Sequence, residues 1–480
     1  MAISCSVDSF SVFFITCMGT IRKRFFGDKA FYLMVLGIAV PIMIHNGFTN
    51  FVNLLDNIMV GRLGTEPMSG VAISNNIIFV YNLCIFGGLS GAGIFTAQYY
   101  GKSDYDGVRN TMRFKLLLGL GLTILATVIF SFLGESLVRM FLNEGSSEGD
   151  LEATLVHAKA YMRLMLFGFP GFFLTQVYST TLRECGETVV PMKAGIVAVL
   201  VNLAFNYLLI YGKFGLPALG VEGAAFATVL SRYVEASIVM VRLHRHSSDF
   251  PFGKGLYRSF QIPASLSRVI TKKGLPLLVN EALWSAGMSM LIQSYSMRGL
   301  NAVAGVNIAE TMNNLFKVIF LAFGNSVGII IGKLLGAGEM EEARETDRKI
   351  IVFSMMVSAA SGLVMLCIAP FFPRLYNTTD AAKAIATSLM IAQGLCLPIE
   401  AFKNATYFTL RSGGRTFITF LFDGFFVWAV SLPIAFVLSR FTSASVLWIF
   451  ISVQLGGLLK CVCGIILVKK GVWLRNIVTE

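Results

Sequence analysis

Residues 181–188 read TLRECGET and residues 409–416 read TLRSGGRT, so five of the eight positions recur 228 residues later. A second set of matches recurs at an offset of 235 residues, and it pairs Gly64 with Gly299, Gly70 with Gly305, Val71 with Val306, Gly93 with Gly328 and Arg109 with Arg344. A length change in the connections between the two sets accounts for the difference in offset. The chain is therefore predicted to contain two copies of one structural unit.

The composition indicates what kind of unit repeats. Hydrophobic residues make up 55% of the 480 residues and charged residues only 14%. Residues 116–133, 194–211 and 350–372 form apolar runs of about 20 residues, which is the length of a transmembrane helix and too long for a barrel strand. Twelve such spans begin near residues 31, 68, 114, 157, 190, 220, 274, 303, 350, 384, 416 and 444.

These spans predict an all-α polytopic membrane protein, in which twelve transmembrane helices form two six-helix lobes related by the internal repeat. The predicted order is an N-terminal cytoplasmic arm (1–29), a first lobe (30–241), a basic cytoplasmic linker (242–273), a second lobe (274–470) and a cytoplasmic tail (471–480). Because six is an even number, both lobes enter the membrane from the same side, as in transporters that alternate access between two lobes. Met18 offers an alternative start that would exclude residues 1–17.

Topology, rather than a nucleic-acid partner, explains the net charge of +12. Of the 39 Lys and Arg residues, 26 fall on the two termini and on alternate connections, and only six fall on the opposite side. The positive-inside rule then places both termini in the cytoplasm. We expect an integral protein of the plasma membrane that contacts the lipid bilayer and binds no nucleic acid.

The residue types that carry catalytic chemistry are sparse, which argues against an enzyme. The chain has four His and eight Cys, and most of the Cys lie within apolar spans as packing residues. Cys461 and Cys463 lack the spacing of a zinc site, and no nucleophile motif is present. No cofactor and no structural metal are therefore expected.

Two carboxylates are predicted near the middle of spans. Glu281 and Glu400 lie at depths of about 12 and 16 Å from the predicted cytoplasmic edge, at a rise of about 1.5 Å per residue. A charge at such a depth costs about 2.5–3.5 kcal/mol and requires a partner or a function. Because the two carboxylates lie at similar depths, we expect them to share a cation, such as sodium, or a proton. The structural alternative pairs Glu400 with Lys403 and Glu281 with Lys317.

The first half carries its own polar candidates. Asp56 is the carboxylate within the first span, and its structural alternative is an ion pair with Arg62. Asn202 and Asn206 share one face of the fifth span and are candidates for a polar cavity, with packing hydrogen bonds between helices as the alternative. Carboxylates nearer the span ends, where a charge costs less, are Glu310 and Asp423.

Several segments, taken together and in order, resemble the multidrug and toxic compound extrusion family. They are LLDNIMVGRLG from residue 54, GLSGAGIFTAQYYGK from residue 88, TLRECGET, NYLLIYGKFGLPALGVEGAAFATVLSR from residue 206, and Glu281 with TLRSGGRT. The resemblance covers residues 30–470. It implies a two-lobed antiporter, functional as a monomer, that expels amphiphilic organic cations or other xenobiotics in exchange for sodium or protons.

The resemblance also suggests roles for individual residues. Asp56 matches the first-helix Asp of the family, Glu281 the acidic residue of the seventh helix, and Glu400 the acidic residue ahead of the tenth-helix Leu-Arg pair. The resemblance implies an N-x-x-x-D pattern in the fifth helix of family members that couple protons through the first lobe. This chain instead has Asn202 and Asn206 at those two positions. That departure favours the second-lobe carboxylates, and sodium slightly over protons.

The alternative function is a flippase for a lipid-linked or other amphiphilic substrate on the same two-lobed plan. Such a protein would line its cavity with several Arg or Lys side chains for phosphate. The cations predicted within spans are Arg163, Arg232, Lys317, Lys403 and Lys460. A channel is disfavoured, because the midplane carboxylates are few and form no symmetric ring.

Overall fold

The computed structural model describes residues 25–141, 150–246 and 248–479. Twelve long helices account for most of this chain, and the described residues contain no strand. Residues 1–24 of the predicted N-terminal arm (1–29) lie outside the described residues. So does the alternative start at Met18.

The first six helices precede the linker: α1 (Lys29–Gly61), α2 (Thr65–Gly101), α3 (Tyr105–Phe141), α4 (Leu151–Glu184), α5 (Val189–Tyr211) and α6 (Gly220–Arg245). The other six follow it: α7 (Ala264–Ser296), α8 (Leu300–Ala337), α9 (Met340–Ile368), α10 (Asp380–Ser412), α11 (Thr416–Phe441) and α12 (Val446–Lys469). Eleven of the helices are long and apolar enough to cross a membrane. The remaining helix, α4, has the length but a more polar sequence.

Proline positions repeat between the two halves. Pro41 in α1 and Pro276 in α7 lie inside their helices, and so do Pro170 in α4 and Pro398 in α10. An internal Pro removes one backbone hydrogen bond and favours a bend, so we expect bends at equivalent places in the first and fourth helices of each half. The first pair keeps the 235-residue offset of the repeat and the second pair the 228-residue offset.

The chain divides into two compact units. The first unit consists of Pro41–Ala286, Thr416–Phe425 and the described residues from Ile477. The second consists of the described residues up to Val40, Gly287–Arg415 and Phe426–Asn476. The lobe limits of 30–241 and 274–470 stay a prediction.

In the first unit, α5 packs against α6, and α4 packs against both α6 and α2. The Tyr81 ring of α2 stacks on the Phe169 ring of α4, with centroids 4.1 Å apart, and the Tyr81 hydroxyl lies 2.9 Å from Thr123 Oγ1. Gly70 allows α2 to approach the α4 backbone, because a Cβ there would stand 2.8 Å from the Thr154 carbonyl oxygen. Small residues of this kind permit close packing of helices in membranes.

In the second unit, α10 packs against both α8 and α9. The backbones of α9 and α10 come closest at Gly362 and Gly394, where a Cβ on Gly362 would collide with the Gly394 carbonyl oxygen. The two helices run antiparallel. Gly362 and Gly394 therefore allow a close approach of the two helices at this level.

The predicted linker is folded against the first unit. After α6 the chain makes two 3₁₀ turns, Pro251–Gly253 and Leu256–Arg258, before α7 begins. Arg113 of α3 donates to the carbonyl oxygens of Gly255, at 2.8 Å, and Leu256, at 2.9 Å. Leu256 is buried. These contacts hold the segment onto the end of α3.

Candidate functional site

Four polar side chains from three helices meet inside the first unit, and we call them the Asp56 cluster: Asp56 on α1, Asn202 and Asn206 on α5, and Thr228 on α6. Asn206 Nδ2 donates to Asp56 Oδ1 at 2.5 Å and to Asn202 Oδ1 at 3.1 Å. The two Asn residues lie one helical turn apart, which aims both amides at the same neighbour.

The two Asn residues of the cluster are shielded from solvent, whereas Asp56 and Thr228 are partly buried. Asn202 and Asn206 are 4% and 1% exposed, and the Oδ1 atom of Asn206 is buried without a hydrogen-bond partner. In the alternative orientation of the Asn202 amide, its nitrogen lies 3.0 Å from Asp56 Oδ1 and its oxygen accepts from Thr228 Oγ1 at 3.3 Å. That orientation gives up the hydrogen bond from Asn206 to Asn202. Carboxylate, amide and hydroxyl oxygens are the ligands that hard cations prefer. The arrangement suits a small cation or a proton.

Asp56 does not take up the structural alternative expected for it. No ion pair joins Asp56 to Arg62 in the described part of the chain, and the partner of Asp56 comes instead from α5. Arg232 of α6 pairs with Glu235 at 3.4 Å, and its guanidinium carbon lies 5.5 Å from the centroid of the Phe172 ring. Glu235 therefore neutralises Arg232 within α6.

Sequence reasoning missed several members of this region. Thr228 completes the Asp56 cluster, and Tyr161 on α4 donates to Asn75 Oδ1 at 3.2 Å. Tyr161 is buried. A polar residue within an apolar span was the signal that selected Asn202, and the same signal was present at Thr228 and Asn75.

Glu281 lies on α7 within the first compact unit and is partly buried. Its Cγ lies beside Gly87 of α2, 3.4 Å from where a Cβ on that residue would stand. The preceding residue, Asn280, donates to Asp423 Oδ2 at 3.2 Å and accepts from the Gly424 N–H at 2.7 Å. Asn280 thereby binds α7 to the stretch of α11 that runs as π-helix from Leu421 to Phe425.

Glu400 adopts the structural alternative considered for it. Lys403, one turn later on α10, donates to Glu400 Oε1 at 2.5 Å and lies 3.4 Å from Gln454 Oε1 of α12. Glu281 belongs to the first compact unit and Glu400 to the second, so a site shared by them stays a prediction.

A second group of polar side chains lies in the second unit, and we call it the Glu310 cluster: Glu310 and Lys317 on α8, and Gln393 on α10. Glu310 accepts from Gln393 Nε2 at 2.9 Å and from Lys317 Nζ at 3.2 Å. Lys317, considered above as a partner of Glu281, is thus paired with Glu310. Gln393 was not a candidate from the sequence, although it too is a polar residue in an apolar span.

The described residues contain no group of three or more His, Cys, Asp or Glu side chains that could hold a metal ion. The Asp56 cluster has one carboxylate, and its other oxygen donors are amides and a hydroxyl. Such donors fit an alkali cation better than a transition metal.

A family model described as MatE matches residues 41–208 and 276–437. The chain belongs to the MatE family. The two matched segments begin 235 residues apart, which is the offset of the internal repeat. The resemblance inferred from the sequence is thereby confirmed, and the MatE assignment makes the chain a member of a family of multidrug efflux transporters.

Relatives in two bacteria agree with this assignment. A probable multidrug resistance protein NorM of Thermotoga maritima is 27% identical over 421 residues, which cover 86% of this chain and 88% of the relative. The multidrug resistance protein PmpM of Pseudomonas aeruginosa is 25% identical over 410 residues, which cover 84% of this chain and 83% of the relative.

Solved structures show the same fold. A crystal structure of MATE in the bent conformation superposes with a TM-score of 0.82 at 21% identity, over 93% of this chain and 98% of that one. The straight conformation gives 0.82 at 21% identity, over 95% and 98%. The predicted all-α fold, with twelve transmembrane helices in two lobes, is confirmed. The MatE chain is an integral membrane protein.

Proposed function

We propose that this MatE chain is a secondary active antiporter that exports amphiphilic organic cations or other xenobiotics in exchange for sodium or protons. It would do so by alternating access between its two lobes, as a monomer in the plasma membrane with both termini in the cytoplasm. Membership of an efflux family and the Asp56 cluster support the proposal. The cluster is the single observation that carries it.

The Asp56 cluster has the properties of a coupling site. Asp56 is partly buried, and its hydrogen-bond donor is a neutral amide. A carboxylate removed from water is costly unless a cation or a proton neutralises it. Sodium would bind the Asp56 carboxylate and the amide oxygen of Asn206, which is buried without a partner. A proton would bind Asp56 itself. Either ion would alter how α1 is held against α5, which would couple ion binding to helix packing.

Glu281 is the second residue we propose for coupling or for binding the cationic cargo. It is partly buried on α7, and the adjacent Asn280 is bonded to the π-helical stretch of α11. Single π-helical turns within α-helices are frequent at functional sites. Glu400 is a weaker candidate, because Lys403 already neutralises it.

Three of the five cations predicted within spans give the flippase alternative no support. Arg232 pairs with Glu235, Lys317 with Glu310 and Lys403 with Glu400. Cations that are neutralised by internal carboxylates are poorly placed to bind a lipid phosphate. The antiporter is therefore the function we propose.

The test is ethidium efflux from de-energised cells that express the chain, under an imposed inward sodium gradient or an inward proton gradient. We expect one gradient to drive efflux by the wild type. Asp56→Asn and Glu281→Gln should remove this driven efflux while the protein remains folded in the membrane. The control is Asp380→Asn, which alters a fully exposed carboxylate at the start of α10.

Two results would contradict the proposal. Normal gradient-driven efflux by Asp56→Asn would show that the Asp56 cluster is structural. Absence of dye movement under either gradient, with the protein present in the membrane, would favour a flippase.

A further inference from the structure

Asp347 is a buried acid that the proposed antiport does not use. It lies two turns into α9, is 0% exposed, and faces α10. Thr409 Oγ1 of α10 lies 2.5 Å from Asp347 Oδ1. The other carboxyl oxygen, Oδ2, is buried and has no hydrogen-bond partner. A carboxylate in this position would keep its negative charge with one hydroxyl as its only partner.

The hydrogen atoms around Thr409 decide how this contact is made. Thr409 Oγ1 lies 2.5 Å from Asp347 Oδ1 and also 3.0 Å from the carbonyl oxygen of Ala405. A hydroxyl has one hydrogen and can donate only once. Two separate hydrogen bonds form when Asp347 carries a proton, because it then donates to Thr409, and Thr409 donates to Ala405. With an ionised Asp347, the single Thr409 hydrogen would be shared between two acceptors. The geometry therefore favours a neutral carboxylic acid.

The charged groups nearby do not compensate an ionised Asp347. Arg348 follows it on α9, and Arg411 on α10 lies over the Phe408 ring at 5.3 Å from the centroid. Neither forms an ion pair with Asp347 in the described part of the chain. Leaving a buried charge without an opposite charge is strongly destabilising, and a buried acid avoids this by binding a proton.

The internal repeat provides a comparison within the molecule. Thr181 stands where Thr409 does in the other half, and Lys115 of α3 donates to its hydroxyl at 3.2 Å. Lys115 is 0% exposed but also forms an ion pair with Glu184. The first half thus neutralises the charge buried beside its Thr with a second side chain. The second half has Ser412 in place of Glu184 and provides no ion-pair partner for Asp347.

A row of hydroxyls continues from Asp347 along the α9–α10 contact. Ser354 and Ser358 lie on the same face of α9 as Asp347, and Thr406 lies on α10; all three are buried and their hydroxyls have no partner. The row extends for about 16 Å along the helix axis, at a rise of about 1.5 Å per residue. Buried polar atoms without protein partners are the groups that internal water serves.

We propose that Asp347 is a proton-binding site in the second compact unit, separate from Asp56 and Glu281. Its carboxyl group holds a proton at neutral pH while α9 and α10 are packed together. Separation of the two helices would hydrate the Ser354–Ser358 row. The O–H bond of Asp347 would then break, and the proton would pass to a water molecule, leaving a solvated carboxylate. The site does not depend on which cargo the protein exports.

Infrared spectroscopy of the purified protein in lipid nanodiscs at neutral pH tests the site without any transport assay. A protonated carboxyl group has a C=O stretching band that a carboxylate lacks. We expect the wild type to show such a band, which shifts in D₂O and disappears in Asp347→Asn. Asn has nearly the shape of a neutral Asp, so this variant should fold. Asp380→Asn, which removes an exposed carboxylate, should leave the band unchanged.

Thr409→Val provides a second measurement that needs no change at Asp347. Removal of the hydroxyl should shift the carboxyl band to higher frequency, because the acid loses its hydrogen-bond acceptor. A carboxyl band that is unchanged in both Asp347→Asn and Thr409→Val would overturn the proposal. So would the absence of any such band from the wild type at neutral pH.

Discussion

The ion pair between Glu400 and Lys403 allows a sharp test of whether Glu400 is structural or functional. The two charged groups are 2.5 Å apart on α10, and their side chains are 32% and 12% exposed. We consider three variants: Glu400→Gln, Lys403→Gln and the double variant. Each single variant leaves one partly buried charge without its partner. The double variant removes both charges.

The expected energies follow from this partial burial. Breaking a fully buried pair by removing one partner costs about 3–5 kcal/mol, whereas exposed pairs contribute about 0–1 kcal/mol. For a pair between these limits we expect about 2 kcal/mol from each single variant and about 1 kcal/mol or less from the double variant. For a domain of about 200 residues, 1 kcal/mol shifts Tm by about 2–4 °C, so the single variants should lose about 4–8 °C.

The assay measures Tm and gradient-driven ethidium efflux on the same four proteins. If Glu400 serves only the ion pair, the double variant should recover both quantities towards the wild type. If Glu400 also binds a coupling ion or cargo, the double variant should recover Tm but not efflux.

One result would refute the structural reasoning. Equal losses of Tm in the single variants that simply add in the double variant would mean that the two side chains do not interact. Double-mutant cycles detect an interaction through this failure of additivity.

Two further predictions concern packing. Gly70→Ala should lower stability by about 1–3 kcal/mol, because its Cβ would press on the α4 backbone. In the control, Gly121→Ala, the Cβ meets nothing within 4 Å, so the change should be neutral or stabilising by up to about 1 kcal/mol. Equal Tm changes in the two variants would contradict the packing described. Arg113→Met should release the segment after α6 and speed tryptic cleavage at Lys254 by at least about tenfold, since each hydrogen bond from a charged group contributes about 1.5–3 kcal/mol. Arg62→Met is the control, and equal cleavage of the two variants would show that Arg113 does not hold the segment.

The amino-acid sequence by itself determined the class, the number of spans and the internal repeat. These properties depend on apolar length and on periodicity, which are local along the chain and need no knowledge of neighbours. The Glu400–Lys403 contact could be foreseen for the same reason, because residues three apart on one helix face each other. The fold class and the family assignment both rested on such local features.

Tertiary structure alone decided which polar side chains meet. The sequence offered Arg62, six residues away, as a partner for Asp56. In the structure, Asp56 instead accepts a hydrogen bond from Asn206, 150 residues away. Lys317 pairs with Glu310 rather than with a residue of α7. Partner choice depends on the rotation and depth of each helix, which follow from the packing of all its neighbours.

Asp347 makes the same point most clearly. In the sequence it is one acid in the charged stretch EMEEARETDRK, which reads as a solvated helix end. The packing of α9 against α10, which come close at Gly362 and Gly394, buries Asp347 against Thr409. Whether a carboxyl group lies in water or in the protein interior determines its charge, and only the packing of the two helices decides that.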